Sequence, residues 1–223
     1  GGIGVNLPSA QLIAPDLPGS LSLKGEIERG EDLISEVSLD LDGQGTDLTF
    51  EGTVAAPEDN YAAAGIINMA VEALAPFSEL AGRPLAGAIA GTFTGSITPD
   101  LDKVDLQIDA RSRGLSVGID AADKLLQGNG SYSGSVLKNG DQIEVSNLDI
   151  STASIAATGD LSANGPTGLG TFTARLNDIG LFTDQLSGPV TASGEAARTS
   201  GVWRLDINAN GPGGFLASAN GTV

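Results

Sequence analysis

The chain has 223 residues, no cysteine, no histidine and a formal net charge of −17. Without cysteine or histidine there is no Cys-His or Ser-His nucleophile and no usual ligand set for zinc or haem, so the common hydrolases and metalloproteins of those kinds are excluded. The 11 Lys and Arg residues are scattered singly among 28 acidic ones, so nucleic acid is not an expected partner. Because 40% of the residues are hydrophobic, we expect the chain to fold.

The first 19 residues contain Pro8, Pro15 and Pro18 and are expected to be an irregular connection from a preceding repeat. The sequence does not begin with methionine, shows no secretory leader or membrane-spanning stretch, and stops within an apparent strand. We therefore expect a segment of a longer chain. Residues 20–223 are expected to form one continuous β-repeat segment, with units near 20–82, 83–165 and 166–223.

Alternation of apolar and polar residues dominates the chain after its first part. Val37, Leu39 and Leu41 alternate with Ser and Asp, and the same period of two recurs over 104–108, 115–119 and 203–209. Each of these segments predicts a half-buried strand. Asn-Gly pairs that begin at residues 129, 139, 164, 210 and 220 predict tight reversals. The predicted fold class is all-β and mostly antiparallel.

A glycine recurs on the apolar side of these strands, at Gly25, Gly52, Gly159 and Gly221, with a weaker copy at Gly194. Glycine weakens a strand and removes contact area. Its repetition on one face predicts a repeated bend, or a face that another molecule approaches closely. The remaining residues of that face are mainly aliphatic, which suits acyl chains.

Short helices are predicted between groups of strands. Apolar residues spaced by three and four, followed by Gly82, Gly128 and Gly188, predict helical turns near 74–81, 121–127 and 179–186. These copies lie at unequal intervals, which is typical of elongated, repeat-built sheets with variable insertions.

Three polar motifs resemble catalytic or metal sites, but each lacks a required part. The segment Asp40–Asp47 has the acidic spacing of a calcium loop without the bidentate glutamate, so a polar hairpin turn and no response to calcium are expected. Ser135 and Lys138 form an S-x-x-K pair without its helical context. An acidic cluster with no nearby aromatic sugar platform is expected to be a solvated edge; it comprises Glu26, Glu28, Glu31, Asp32 and Glu36. No catalytic, cofactor or metal residue is predicted, and the chain is not expected to be an enzyme.

The segment 71–95, together with 104–110, 143–150 and 155–161, resembles the TamB family within the AsmA-like group. The resemblance covers nearly the whole chain. It implies a Gram-negative protein that is anchored in the inner membrane and crosses the periplasm as a long, taco-like β-sheet with an apolar groove. It also implies phospholipid transfer between the membranes, and outer-membrane protein assembly with the barrel partner TamA through a region outside this segment.

Under this interpretation the groove holds phospholipid acyl chains or unfolded outer-membrane protein strands, and both cargoes remain open, as does the direction of transport. A second hypothesis is a structural or adhesive secreted β-solenoid with a sealed core. An enzyme on a β-helix, the third, has no active-site candidate. The residues expected to line the groove are Leu39, Leu41, Phe50, Gly52, Ile108, Val117, Ile150, Ile155, Gly159, Leu205 and Ile207.

Overall fold

The computed structural model describes residues 1–7, 9, 19–29, 34–55 and 62–222. Within them, fourteen strands form one antiparallel sheet in which every strand pairs with its neighbours in the chain, and the sheet is not closed. The predicted all-β, antiparallel class is confirmed. The strands are β1 (Gly2–Leu7), β2 (Leu21–Arg29), β3 (Ser35–Gly43), β4 (Thr46–Val54), β5 (Ala63–Val71), β6 (Ala86–Ile97), β7 (Lys103–Ser116), β8 (Asn129–Asn139), β9 (Gln142–Ser151), β10 (Ile155–Asn164), β11 (Thr167–Leu176), β12 (Val190–Thr199), β13 (Val202–Asn210) and β14 (Leu216–Thr222).

The short helical segments lie where the apolar spacing predicts them. A 3-10 turn at Ala75–Phe77 leads into α1 (Ser78–Ala81), and α2 spans Asp120–Leu125. A 3-10 turn at Ile179–Leu181 occupies only the beginning of the third predicted helix. Another, at Pro212–Gly214, was not predicted, because one proline and two glycines carry no helical signal.

The connections alternate between the two ends of the strands, because successive strands run in opposite directions. In the described residues, the helical segments all follow odd-numbered strands and therefore lie at one end. We call this end the helical edge; it consists of residues 44–45, 72–85, 117–128, 152–154, 177–189 and 211–215. The opposite end carries short turns, and we call it the turn edge; its described connections include residues 98–102, 140–141, 165–166 and 200–201.

Only some of the five Asn-Gly pairs form tight turns. Those at residues 139 and 164 form tight reversals with Gly140 and Gly165 at positive φ, as predicted. The pair at 210 leads into a longer connection, and those at 129 and 220 lie inside β8 and β14, where the turn prediction is wrong. Gly130 instead leaves room for its neighbours, since an added Cβ would lie 2.7 Å from Ser112 Oγ, which is hydrogen-bonded to Tyr132 Oη at 2.8 Å.

The sheet is a single layer with almost no conventional core. Substantial contacts between strands join only neighbours in the sheet. Among the described residues, the buried hydrophobic ones are Ala110 and Ala163, at 5% and 7% exposure. Stability therefore comes from the backbone ladder and from side chains that pack along each face. The strand β1 falls within the first 19 residues, where an irregular connection was predicted, and the three prolines of that stretch lie outside the described residues.

Candidate functional site

The register of the sheet places apolar residues of successive strands in continuous rows. Residues directly opposite each other in an antiparallel pair share a face, and Leu39, Phe50 and Ile67 are opposite in successive pairs. This row crosses the sheet from β2 to β14, about 58 Å at the usual strand spacing. We call it the central row; its members are Gly25, Leu39, Phe50, Ile67, Phe93, Ile108, Gly134, Leu148, Gly159, Phe172, Gly194, Ile207 and Ala219.

The residues predicted to line a groove share the face that carries the central row, with one exception. We call it the apolar face. Its row nearer the helical edge contains Leu41 and Ile150, and its row nearer the turn edge contains Gly52 and Leu205. Ile155 lies at the helical-edge end of β10, opposite Leu176. The predicted lining residues in the central row itself are Leu39, Phe50, Ile108, Gly159 and Ile207.

Val117 is the exception, because the strand predicted over 115–119 ends at Ser116. The Val117 amide donates a hydrogen bond to Asp123 Oδ1 at 2.7 Å, and Gly118 has a positive φ of 73°. This carboxylate turns the chain into α2. Val117 therefore belongs to the helical edge and not to the sheet.

Aromatic rings cover several glycines of the apolar face, a feature that the sequence analysis missed. An added Cβ at Gly52 would lie 2.8 Å from Phe50 Cζ, and one at Gly194 would lie 2.9 Å from Phe172 Cζ. Trp203 covers Gly168 in the same way, at 3.0 Å. The glycines thus provide space for rings from the same strand, from an adjacent strand or, for Trp203 of β13 over Gly168 of β11, from the next strand but one. The available signal was the Phe50-x-Gly52 spacing, which puts both residues on one face.

A β-bulge in β9 keeps the apolar side chains on one face. Val145 and Leu148 are three residues apart, a spacing that would place them on opposite faces of a regular strand. Asn147 has a φ of +54°, and the ladders on both sides of β9 shift register at this point. The extra residue restores the alternation, so Ile143, Val145, Leu148 and Ile150 all lie on the apolar face.

The opposite face, which we call the polar face, is mainly polar, although Ile66, Leu137 and Leu169 also lie on it. Thr92 Oγ1 donates to Asn68 Oδ1 at 2.8 Å, and Thr158 and Thr173 share a hydrogen bond of 2.8 Å. Cross-strand hydrogen bonds of this kind stabilise a sheet. The row that contains them comprises Lys24, Asp40, Thr49, Asn68, Thr92, Asp109, Ser133, Asp149, Thr158, Thr173, Ser193, Asn208 and Ser218.

Charge divides the two faces sharply. Where strand side chains are described, no Asp or Glu lies on the apolar face, and the charged residues there are Lys138 and Arg198, both at the turn edge. Lys138 Nζ donates to the carbonyl of Leu101 at 2.6 Å, and Arg198 Nη1 donates to that of Gly165 at 2.7 Å. These two cations hold turns in place, so the middle of the apolar face is uncharged.

Two carboxylates hold the helical edge together. Asp178 accepts hydrogen bonds from the amides of Gly188 at 2.8 Å and Gly180 at 2.9 Å. Both bonds lower the pKa of the Asp178 carboxyl, and the bond from Gly188 has the larger effect. The bond from the Val117 amide lowers the pKa of Asp123 in the same way, with a further contribution from the Ser116 hydroxyl.

One hollow of the sheet contains a single residue of the predicted lining, Ile150. This hollow, of about 510 Å³, lies over β9 to β13 and is lined by polar-face residues that include Asp149, Thr158, Thr173, Arg175 and Ser193. It opens on the polar face, because most of its lining residues belong to that face and only Ile150, Ala157, Ala174 and Ala192 belong to the apolar one. The apolar face is thus defined by register, burial and charge rather than by an enclosed cavity.

The three polar motifs show no catalytic geometry. Asp40 and Asp47 lie in β3 and β4, which are joined by a turn at residues 44–45, so the polar hairpin is confirmed. Ser135 and Lys138 are three residues apart in β8, a spacing that puts them on opposite faces. Glu26, Glu28 and Glu36 line a hollow of about 490 Å³ on the polar face, whereas Glu31 and Asp32 lie outside the described residues.

No group of metal-ligating side chains is found among the described residues. In the same part of the chain, no helix is both long enough and apolar enough to cross a membrane. Comparison with protein-family models, with curated proteins and with solved structures found no match to this chain.

Proposed function

We propose that this chain is part of a TamB-type protein of the AsmA-like group, anchored in the inner membrane of a Gram-negative bacterium and crossing its periplasm. In this proposal the apolar face shields phospholipid acyl chains between the two membranes, and the whole protein supports outer-membrane protein assembly with TamA. One observation carries the proposal: uncharged apolar rows run uninterrupted from β2 to β14 across a single-layer sheet.

An acyl chain is stabilised wherever this face removes it from water. The stabilisation is about 0.8 kcal/mol per buried methylene. Movement of the chain along the sheet requires that this stabilisation stay similar from strand to strand. The central row meets this condition, because every member is glycine, alanine, aliphatic or phenylalanine. No carboxylate interrupts it, so a sliding chain meets no desolvated charge.

A curl of the sheet toward the apolar face is part of the proposal. Along β12 and β13, apolar-face residues are half-buried while their neighbours on the other face are exposed. No second layer among the described residues causes this difference. Side chains that converge on the inner side of a curved sheet shield one another, which accounts for the alternation. The ring-covered glycines support the same curvature, since an inward ring replaces the missing side chain.

The sealed solenoid is the alternative from another class. It requires an element that covers the apolar face, yet Ile67, Leu148 and Phe172 remain 36–37% exposed. Such exposure leaves an aliphatic and aromatic surface open to a ligand. The observation favours the groove over the sealed core.

Photo-crosslinking in cells tests the proposal. A photoreactive residue at Ile150 or Ile207 of the full-length protein is expected to form phospholipid adducts, whereas Asp105 and Asp206, on the polar face, serve as matched controls. Adducts with outer-membrane proteins at the same positions would assign the second cargo. Equal adducts on both faces, or none at the apolar positions of a folded protein, would leave the solenoid as the better interpretation.

A further inference from the structure

The helical edge exposes a series of large apolar side chains. Leu80, Ile119, Phe182, Leu186, Phe215 and Leu216 are each between 43% and 76% exposed. They come from four connections that follow β5, β7, β11 and β13, together with the first residue of β14. Isolated exposed apolar residues are ordinary, but a series on neighbouring connections marks an interaction surface.

Neighbouring connections of this edge are in contact, so their apolar residues form two patches. An added Cβ at Gly118 would lie 2.8 Å from the Pro84 carbonyl oxygen, and one at Gly188 would lie 3.3 Å from Pro212. The first contact joins the connections of Leu80 and Ile119; the second joins those that carry the remaining four residues. Lys124 Nζ bonds the Leu181 carbonyl at 2.8 Å and lies 5.6 Å from the Phe182 ring centre, which links the two patches.

The negative charge of the helical edge indicates which kind of partner it can bind. The four helical connections contain six carboxylates and two basic residues. Asp123 and Asp178 are engaged with backbone amides, and Lys124 is bound to a carbonyl. Glu79, Asp120 and Asp184 make no side-chain hydrogen bond or ion pair within the described residues. An anionic membrane surface would be repelled, whereas a basic surface is complementary.

We propose that the helical edge is a docking surface for a basic amphipathic helix of a partner protein. Adjacent connections are two strands, about 10 Å, apart along the edge. Residues i and i+7 of an α-helix are also about 10 Å apart. Apolar side chains at i and i+7 therefore reach adjacent connections of one patch, and a helix of about 18 residues, about 27 Å long, extends from the first patch to the second. Lysine or arginine on its flanks faces Glu79, Asp120 and Asp184. This inference is independent of what the apolar face carries.

A synthetic peptide tests it. The probe is a helix of about 18 residues with leucines at i and i+7 and lysines on the flanks, titrated by fluorescence anisotropy against the purified chain. One control peptide replaces the lysines by glutamates, and another replaces the leucines by serines. Only the peptide with both leucines and lysines is expected to bind. Its binding should weaken at high salt, because the charges are exposed.

Variants locate the site. Leu80→Ser and Leu186→Ser are each expected to weaken binding roughly three- to tenfold, since each removes one apolar contact, and Asp184→Lys should weaken it similarly. Val202→Ser, at the turn edge and 51% exposed, is the matched control and should bind as the parent does. Circular dichroism confirms that each variant folds.

Equal binding of the lysine and glutamate peptides, or an equal loss with Val202→Ser, would overturn the proposal. So would flotation of the chain with anionic vesicles that Leu80→Ser abolishes, because the partner would then be a lipid surface. Concentration-dependent dimerisation lost in Leu186→Ser, without peptide binding, would assign the edge to a second copy of the chain.

Discussion

The backbone amide of Asn147 donates a hydrogen bond to Asp160 Oδ1 across the ladder, at 2.8 Å. Asn147 is the bulge residue of β9, with a φ of +54°, and Asp160 is on the adjacent strand β10. The bond satisfies an amide that the bulge removes from the ladder. This pair therefore keeps both halves of β9 in the register that places their apolar side chains on one face.

Replacement of Asn147 by a β-branched residue should destabilise the sheet. Asn147→Val forces valine into left-handed backbone space and should cost about 1–3 kcal/mol, whereas Asn147→Gly should change the free energy of unfolding by only a few tenths. Thermal melts by circular dichroism measure both. If Asn147→Val and Asn147→Gly had the same melting temperature, the bulge would not control stability.

Gly52 and Gly221 both lie on the apolar face but differ in the space around them. An added Cβ at Gly52 would collide first with the Ala64 carbonyl oxygen and would lie 2.8 Å from both Gly65 Cα and Phe50 Cζ, whereas one at Gly221 would meet nothing within 4 Å. Gly52→Ala should therefore lower the free energy of unfolding by about 1–3 kcal/mol through overpacking. Gly221→Ala should stay within about 0.5 kcal/mol of the parent. Denaturant unfolding compares them, and equal effects would contradict the close approach of β5 and the Phe50 ring to Gly52.

Asp178 should make stability depend on acid pH. Its pKa is lowered below the ordinary value of 3.8 by hydrogen bonds from Gly188 and Gly180. A depressed folded-state pKa gives stability that is present above the unfolded-state pKa and is lost as the pH falls through the folded-state pKa. The melting-temperature difference between the parent and Asp178→Asn should thus be full at neutral pH and shrink below about pH 4.

The control for this pH series is Asp184→Asn, since the Asp184 carboxylate makes no hydrogen bond within the described residues. This variant should melt close to the parent at neutral pH. An Asp178→Asn difference that is constant down to pH 2 would show that the capping bonds do not require the charged carboxylate.

A charge on the central row should block the proposed transfer. Ile207→Arg places a guanidinium where an acyl chain would pass and should raise a barrier of several kcal/mol, while Ile207→Val should have little effect. Asp105→Arg, which introduces the same side chain on the polar face, is the control. Complementation by the full-length protein measures function, and normal complementation by a folded Ile207→Arg variant would argue against cargo movement along this row.

The sequence alone determined the strand class, the alternation and the side on which the recurring glycines lie. A period of two, as in Val37, Leu39 and Leu41, depends only on backbone geometry, because successive side chains of any strand point to opposite faces. The helical segments near Gly82 and Gly128 were also predictable, since a helical face and its C-terminal glycine are local signals.

Only the tertiary structure decided how the strands pair. The pairing in turn decided which Asn-Gly pairs are turns and which rings cover which glycines. The Asn-Gly pairs at 129 and 220 have the local chemistry of turns but lie in strands, because ladder bonds to neighbouring strands outweigh that preference. Val117 left the predicted strand because Asp123, six residues away, binds its amide. The ring of Phe172 covers Gly194 on the adjacent strand, and that of Trp203 reaches across β12 to Gly168 of β11, contacts that exist only once the register is set.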